Sequence, residues 1–279
     1  MTDPNAYWNG PAGDRWVREQ AALDDMLRPF GEAALDAARV SPGEAVVDVG
    51  CGCGATSLAL ASLVGARGRV VGLDVSAPML RRARERAVDC PNVSLRDGDA
   101  AREFLGASTF DLVFSRFGVM FFADPWSAFA HLRTALRSGG RLAFVCWKAL
   151  GENPWAAIPF DAVAHVLGRP DPEPADAPGP FSLGDEPRLR SLLDGAGFRD
   201  VKLAAFRTTL AFGASGAIDD AVSEISRVGP VARLLVDRDE ASMALAHAAI
   251  KAVVSAHTDT HGVVALAAAA WIVTATNGG

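Results

Sequence analysis

Asp48-Val49-Gly50-Cys51-Gly52-Cys53-Gly54 is the stretch on which the reading of this chain turns. The apolar pair Val46-Val47 precedes it, and the run Ala55-Thr56-Ser57-Leu58-Ala59-Leu60-Ala61 follows, which gives strand, glycine-rich turn and helix in that order. Glycines at 50, 52 and 54 lack a Cβ, so the turn can be tight and a ligand can lie against bare backbone. The helix after it presents unpaired N–H groups at its start. Asp48 adds a fixed carboxylate at the mouth of the turn. That carboxylate suits a ligand bearing an ammonium or sulfonium group better than one bearing a pyrophosphate. Gly50, Gly52 and Ala55 also satisfy G-x-G-x-x-A, one form of the dinucleotide fingerprint, so the loop alone leaves both ligand types open.

Three further segments narrow the choice. Arg69-Val70-Val71-Gly72-Leu73-Asp74 reads as a strand ending in a carboxylate, where nucleotide-binding α/β folds accept ribose hydroxyls. Arg96-Asp97-Gly98-Asp99-Ala100-Ala101 follows the strand candidate Val93-Ser94-Leu95. Asp99 there can accept from an exocyclic amine while the next N–H donates to a ring nitrogen, although Asp-Gly-Asp is also ordinary turn chemistry. Thr109-Phe110-Asp111-Leu112-Val113-Phe114-Ser115-Arg116 is an apolar strand whose end opens onto the same cleft.

These four segments, in this order and at these spacings, resemble the class I S-adenosylmethionine-dependent methyltransferases. Leu136-Arg137-Ser138-Gly139-Gly140-Arg141-Leu142 is similar to the turn into that family's fifth strand. The likeness is strongest over residues 40–148 and looser over 180–212 and 262–276. Within the superfamily the chain is similar to the small-molecule methyltransferases of the ubiquinone/menaquinone-biosynthesis type. The resemblance implies a Rossmann-like α/β fold: a seven-stranded, mostly parallel sheet with an antiparallel last strand and helices on both faces. It implies S-adenosylmethionine as cofactor, S-adenosylhomocysteine as product and a small-molecule acceptor.

The resemblance also implies roles for matched positions. Asp48 and the carbonyls around Gly50 would face the methionyl ammonium. Gly52 and Gly54 would keep the loop clear of the sulfonium and ribose, with Cys51 lining it. Asp74 would hold the ribose hydroxyls, Val75 and Met79 would lie against the adenine, Asp99 and Ala100 would read its edge, and Ser115 would close the methionyl side. One departure is that Cys51 and Cys53 flank Gly52, where the second position in the family is more often Thr, Ser or another small residue; Cys is small enough to fit.

Composition bounds the remainder. The 279 residues carry a net charge of −6 and half are apolar, which suits one enzyme core with additions. No long basic run occurs, and the densest, Arg81-Arg82-Ala83-Arg84-Glu85-Arg86, reads as a solvated helix face, so a nucleic-acid partner is disfavoured. Met1-Thr2-Asp3-Pro4-Asn5 lacks the pattern of a secretory signal. Val263–Thr276 is shorter than the roughly 18 residues of a membrane span. Four cysteines show no disulfide framework, and the expected setting is a reducing cytoplasm. No metal is expected: His257-x-x-x-His261 has ligand spacing, but the helix reads as ending there.

The expected organisation is N-terminal helices over 1–40, a cofactor-binding core over 41–150, its continuation with a Pro-rich loop over 151–212, a helical insertion over 213–261 and a final core strand over 262–279. The loop holds six prolines between 170 and 187, with Asp171, Glu173 and Asp176 among them. Gly13–Arg28 reads as one amphipathic helix and Gly31–Arg39 as a second. Four consecutive alanines in 263–276 favour helix by propensity, whereas position and the family resemblance favour a final antiparallel strand beside strand five, and the strand is adopted. The N-terminal helices and the insertion are expected to form a lid.

In-line methyl transfer needs positioning above all. No general base stands out; His131 reads as structural, and His165 is a weaker candidate. Arg116 is open between binding a substrate carboxylate and a surface ion pair. Phe114-Ser115-Arg116-Phe117 lacks the Asn/Asp-Pro-Pro-Tyr that base- and amide-methylating relatives of the superfamily carry, which again points to a small acceptor. Trp16 and Phe117 are the aromatics expected to touch it. Two other readings stay open: a non-catalytic S-adenosylmethionine-binding protein, and an NAD-dependent oxidoreductase.

Overall fold

The computed structural model describes residues 4–172, 174 and 177–278; Glu173 and Asp176 of the Pro-rich loop lie outside the described residues. Helices α1 (Pro4–Trp8), α2 (Pro11–Arg18) and α3 (Gln20–Ala38) lead into an alternating series. It runs β1 (Ala45–Val49), α4 (Ala55–Val64), β2 (Arg69–Asp74), α5 (Ala77–Arg86), β3 (Val93–Asp97), β4 (Phe110–Arg116), α6 (Pro125–Ala135) and β5 (Leu136–Trp147). Then come α7 (Pro154–Leu167), α8 (Glu186–Gly195), β6 (Phe198–Phe212), α9 (Ile218–Ser226), α10 (Gly229–Leu234), α11 (Glu240–Val254) and β7 (Val264–Asn277).

The strands form one seven-stranded sheet in the order β3-β2-β1-β4-β5-β7-β6. β1 pairs in parallel with β2 and β4, β2 with β3, and β4 with β5. β7 is antiparallel to β5, with Cys146 opposite Trp271. The expected mostly parallel sheet with an antiparallel last strand is what forms. β1 and β4 are buried on both faces, which explains why they are mostly apolar, with Asp48, Asp111 and Ser115 as buried polar exceptions. The alanines of β7 obey position over propensity. Ala268, Ala269 and Ala270 are all buried, and small side chains let the strand pack closely on both sides.

The chain forms two compact units. The first comprises Met1–Trp147, Asp176–Phe206 and Ala270–Gly279. Its strand order reverses between β1 and β4, and a crevice opens beyond the carboxyl ends of strands at such a switch point. The second comprises Lys148–Ala175 and Arg207–Ala269. In it α11 packs on α7 and α9, burying Val163, Ile225, Ile250 and Val254. Among the described residues no helix is long and apolar enough to cross a membrane.

Two local expectations need correction. The break expected near Pro29 does not occur; α3 runs through it, and the interruption lies at Glu19 instead. Leu23, Leu27, Phe30, Ala34 and Ala38 form one buried stripe, and burying it outweighs the one backbone hydrogen bond that Pro29 removes. The arginine-rich run is not a uniformly solvated face either. Arg81 and Arg84 are exposed, but Arg82 and Arg86 turn inward to side chains of α3.

Candidate active site

The glycine loop is tied to the end of β2 rather than hanging free. The Gly50 and Cys51 N–H groups both donate to the Leu73 carbonyl, at 2.8 and 3.2 Å. Gly50, Gly52 and Gly54 all have positive φ, and Gly54 is the N-cap of α4. Gly50 is demanded twice over: a Cβ there would lie 2.7 Å from the Gly118 Cα. A Cβ on Gly52 would meet only the Met79 Sδ, at 3.8 Å, so this glycine keeps a space open.

Two buried carboxylates bracket the loop. Asp48 is fully buried, and its Oδ2 accepts from the Thr56 and Ser57 hydroxyls, both at 2.7 Å. Its Oδ1 is buried with no hydrogen-bond partner. Burial raises the Asp48 pKa, opposed by those two hydroxyls and by the charge of Arg116. Asp74 is 7% exposed. Its Oδ2 accepts from the Gly52 N–H at 2.7 Å and its Oδ1 from the Ser76 N–H at 2.8 Å. Burial pushes Asp74 up to about 6 despite those two N–H donors.

The remaining predicted positions fall around this frame. Met79 is buried at the start of α5, whose N-cap Ser76 donates its hydroxyl to the Trp8 carbonyl. The Val75 carbonyl accepts from the Asn9 amide, whose oxygen in turn accepts from the Ala77 N–H. α1 is thus strapped to the β2–α5 turn, a contact with no signal in the sequence. Asp99 is exposed, with Oδ1 on the Ala101 N–H, and Ala100 is buried. Ser115 is fully buried; its hydroxyl donates to the Val49 carbonyl and accepts from the Gly118 N–H. It therefore pins the end of β4 to β1, a bracing role its side chain shares with no free polar edge. The Ser115-x-x-Gly118 spacing was the available signal for that brace.

Cys51 and Cys53 are buried, and burial drives both thiols up, Cys53 to about 11. They stay protonated near neutrality and line the loop rather than act as nucleophiles. Arg116 pairs with Asp24 at 3.0 Å. Phe117 has φ +61° and stacks on Trp147 at 4.3 Å, with Phe30 edge-on to both. Trp16 meets Trp8 edge-on, and Trp8 also meets Tyr7 and Phe121. The His131 Nε2 lies 2.9 Å from the Glu103 carbonyl, in keeping with a structural role, and His165 is exposed on α7.

Comparison with known proteins agrees with this geometry. Residues 46–140 match a family model described as a methyltransferase domain. The chain is 36% identical to aklanonic acid methyltransferase of Streptomyces sp. (strain C5) over 43% of this chain and 56% of that protein. It is 32% identical to nocamycin O-methyltransferase of Saccharothrix syringae over 64% of this chain and 67% of that protein. It is 28% identical to a demethylmenaquinone methyltransferase of Staphylococcus epidermidis over 60% and 73%. The chain spans about half the length of the first curated relatives it matches, 40% and 56%. In fold it aligns with the YcgJ protein of Bacillus subtilis at a TM-score of 0.57 and 15% identity, over 90% of this chain and 97% of that one.

Proposed function

We propose, for a chain that belongs to the S-adenosylmethionine-dependent methyltransferases, that it transfers the cofactor's methyl group in line to a small-molecule acceptor. The observation that carries this reading is the pair of buried carboxylates at the glycine loop. Asp48 keeps one oxygen without a donor. A buried acceptor of that kind calls for a hydrogen-bond donor, and a methionyl ammonium supplies a charged one. Asp74 has both oxygens on backbone N–H groups, which fixes its orientation and leaves further lone pairs for ribose hydroxyls.

The fit extends to the rest of the loop. The space beside Gly52, bounded by Met79, suits a flat group against bare backbone. Asp99 and Ala100 are taken to read the adenine edge, with Val75, next to Asp74 in sequence, against the ring. When bound, S-adenosylmethionine supplies a methyl group on a positively charged sulfur. The protein's part is to hold that group, exclude water and align the acceptor. Burial pushes both loop thiols up, which disfavours their thiolate forms.

The acceptor reading is supported by the aromatic side chains Trp16 and Phe117 and by relatives named for aklanonic acid, nocamycin and demethylmenaquinone. Net charge −6 disfavours a polyanionic substrate such as nucleic acid. The reducing cytoplasm is the setting that buried, unpaired thiols favour.

Calorimetry tests the cofactor directly. S-adenosylhomocysteine is expected to bind with a dissociation constant in the micromolar range, about −8 kcal/mol, and NAD far more weakly. Tighter binding of NAD would replace this reading with an oxidoreductase. Formation of S-adenosylhomocysteine in the presence of acceptors from a phenol and quinol library separates an enzyme from a non-catalytic binder.

A further inference from the structure

Beside the glycine loop lies a charged cluster that the loop's own residues do not account for. Asp24, on α3, bridges two arginines: its Oδ1 is 3.0 Å from Arg116 and its Oδ2 3.0 Å from Arg86. Gln20 donates to the same Oδ2 at 2.6 Å and accepts from the Arg82 Nε at 3.2 Å, and Arg82 pairs with Glu85. Arg86 also donates to the Cys53 carbonyl at 2.7 Å, which fastens the cluster to the loop. Arg116 and Arg86 thus share the Asp24 carboxylate, while Arg82 is paired with Glu85. Arg116 has a side chain only 13% exposed. α3 approaches it so closely that a Cβ on Gly31 would stand 3.2 Å from its Cδ.

The β1–β4 register pairs Asp48 with Phe114. Arg116 lies two residues beyond Phe114 on β4. Side chains two apart on a strand share a face, so Arg116 leaves β4 on the face from which Asp48 leaves β1. The charge of Arg116 is felt at Asp48, where it lowers the carboxylate's pKa. On one face of the sheet there are therefore an anionic oxygen without a donor and an arginine that shares the Asp24 carboxylate with Arg86. Together they complement a group that bears an ammonium and a carboxylate on one carbon.

We propose that Arg116 binds the methionyl carboxylate of the cofactor, with Asp24 and Arg86 as positioning residues that hold its guanidinium at the glycine loop. This inference rests on the S-adenosylmethionine reading above. It reassigns Arg116 from the acceptor, or from a surface pair, to the cofactor. It also gives the inward turn of Arg86 a purpose.

The test uses three ligands in calorimetry: S-adenosylmethionine, its decarboxylated form and methylthioadenosine, which lacks the amino acid altogether. The wild-type protein is expected to prefer S-adenosylmethionine over the decarboxylated form by roughly tenfold or more, the range for a charge-assisted pair. Arg116→Gln should abolish that preference by weakening S-adenosylmethionine alone, and leave methylthioadenosine unchanged. Arg116→Lys should retain part of the preference. Equal wild-type affinity for the first two ligands overturns the proposal without any variant being needed. So does an Arg116→Gln protein that loses all three ligands alike, which would mark Arg116 as a structural cross-link. If the wild-type protein binds none of the three, the cofactor reading itself falls and takes the proposal with it, a result distinct from either of the others.

Discussion

Asp74 makes the site sensitive to pH, and the sign follows from its burial. An exposed aspartate titrates near about 3.9, whereas Asp74 is pushed up to about 6 by desolvation that its two N–H donors only partly offset. For folding, the protonated form is the comfortable one. The group's contribution favours the fold below the unfolded pKa and is lost as pH rises through about 6. For the ligand, the ionised form is required to accept ribose hydroxyls. Affinity for S-adenosylhomocysteine is therefore expected to rise with pH through about 6 and to level off above it, as calorimetry across that range would show. Asp74→Ala should weaken binding about 10–100-fold, or ~1.5–3 kcal/mol, and flatten that pH dependence. The same affinity in variant and wild type would remove Asp74 from the site. Gly50→Ala is expected to be worse for the fold, because φ +68° strains an L-residue and the new Cβ meets the Gly118 Cα at 2.7 Å. Its urea midpoint should drop well below that of Gly52→Ala, whose Cβ meets only a flexible methionine tip.

Among the elements, α3 shows packing overruling a local signal. Pro29 is exposed and interior to the helix, so it breaks the hydrogen-bond ladder and packs against nothing that would be lost. Pro29→Ala is expected to raise stability by about 1–2 kcal/mol, the helix-interior penalty less the entropy Pro removes from the unfolded chain. A lower urea midpoint for the variant would show that Pro29 sets a needed bend. In the second unit, Asn153 is a hub. It is fully buried, donates to the Lys148 and Ala149 carbonyls, and accepts from the Ala269 N–H and the Trp155 indole. Asn153→Ala would strand several buried polar groups and should cost about 3 kcal/mol or more, measurable as a shift in denaturant midpoint. Nothing in the sequence marks Asn153, because each partner is a backbone or indole group that any residue pattern could supply.

At the scale of the molecule, the lid expectation becomes a measurable proposal. Segment 1–28 is proposed to close on ligand, and the Asn9 and Ser76 contacts are where it is fastened. Hydrogen exchange should report added protection in this segment when S-adenosylhomocysteine and an acceptor are present together. Equal protection in all states would make it scaffold. The sequence by itself determined the alternation of strands and helices, the glycine loop and the acids at its two sides. These features are local: periodicity, glycine spacing and strand ends lie within a few residues of one another. The antiparallel last strand was legible only through the family resemblance together with its place in the order of elements, against its local helix propensity. Only the tertiary structure decided that α3 continues through Pro29, that Ser115 braces β1 to β4 and that Asp48 spends one oxygen on Thr56 and Ser57. It alone turned Arg82 and Arg86 inward to meet Gln20 and Asp24, and set Arg116 beside them. Each of those outcomes is a choice between partners, and most of the partners are tens of residues apart. Burial and hydrogen-bond satisfaction make that choice, and neither exists until the chain has folded.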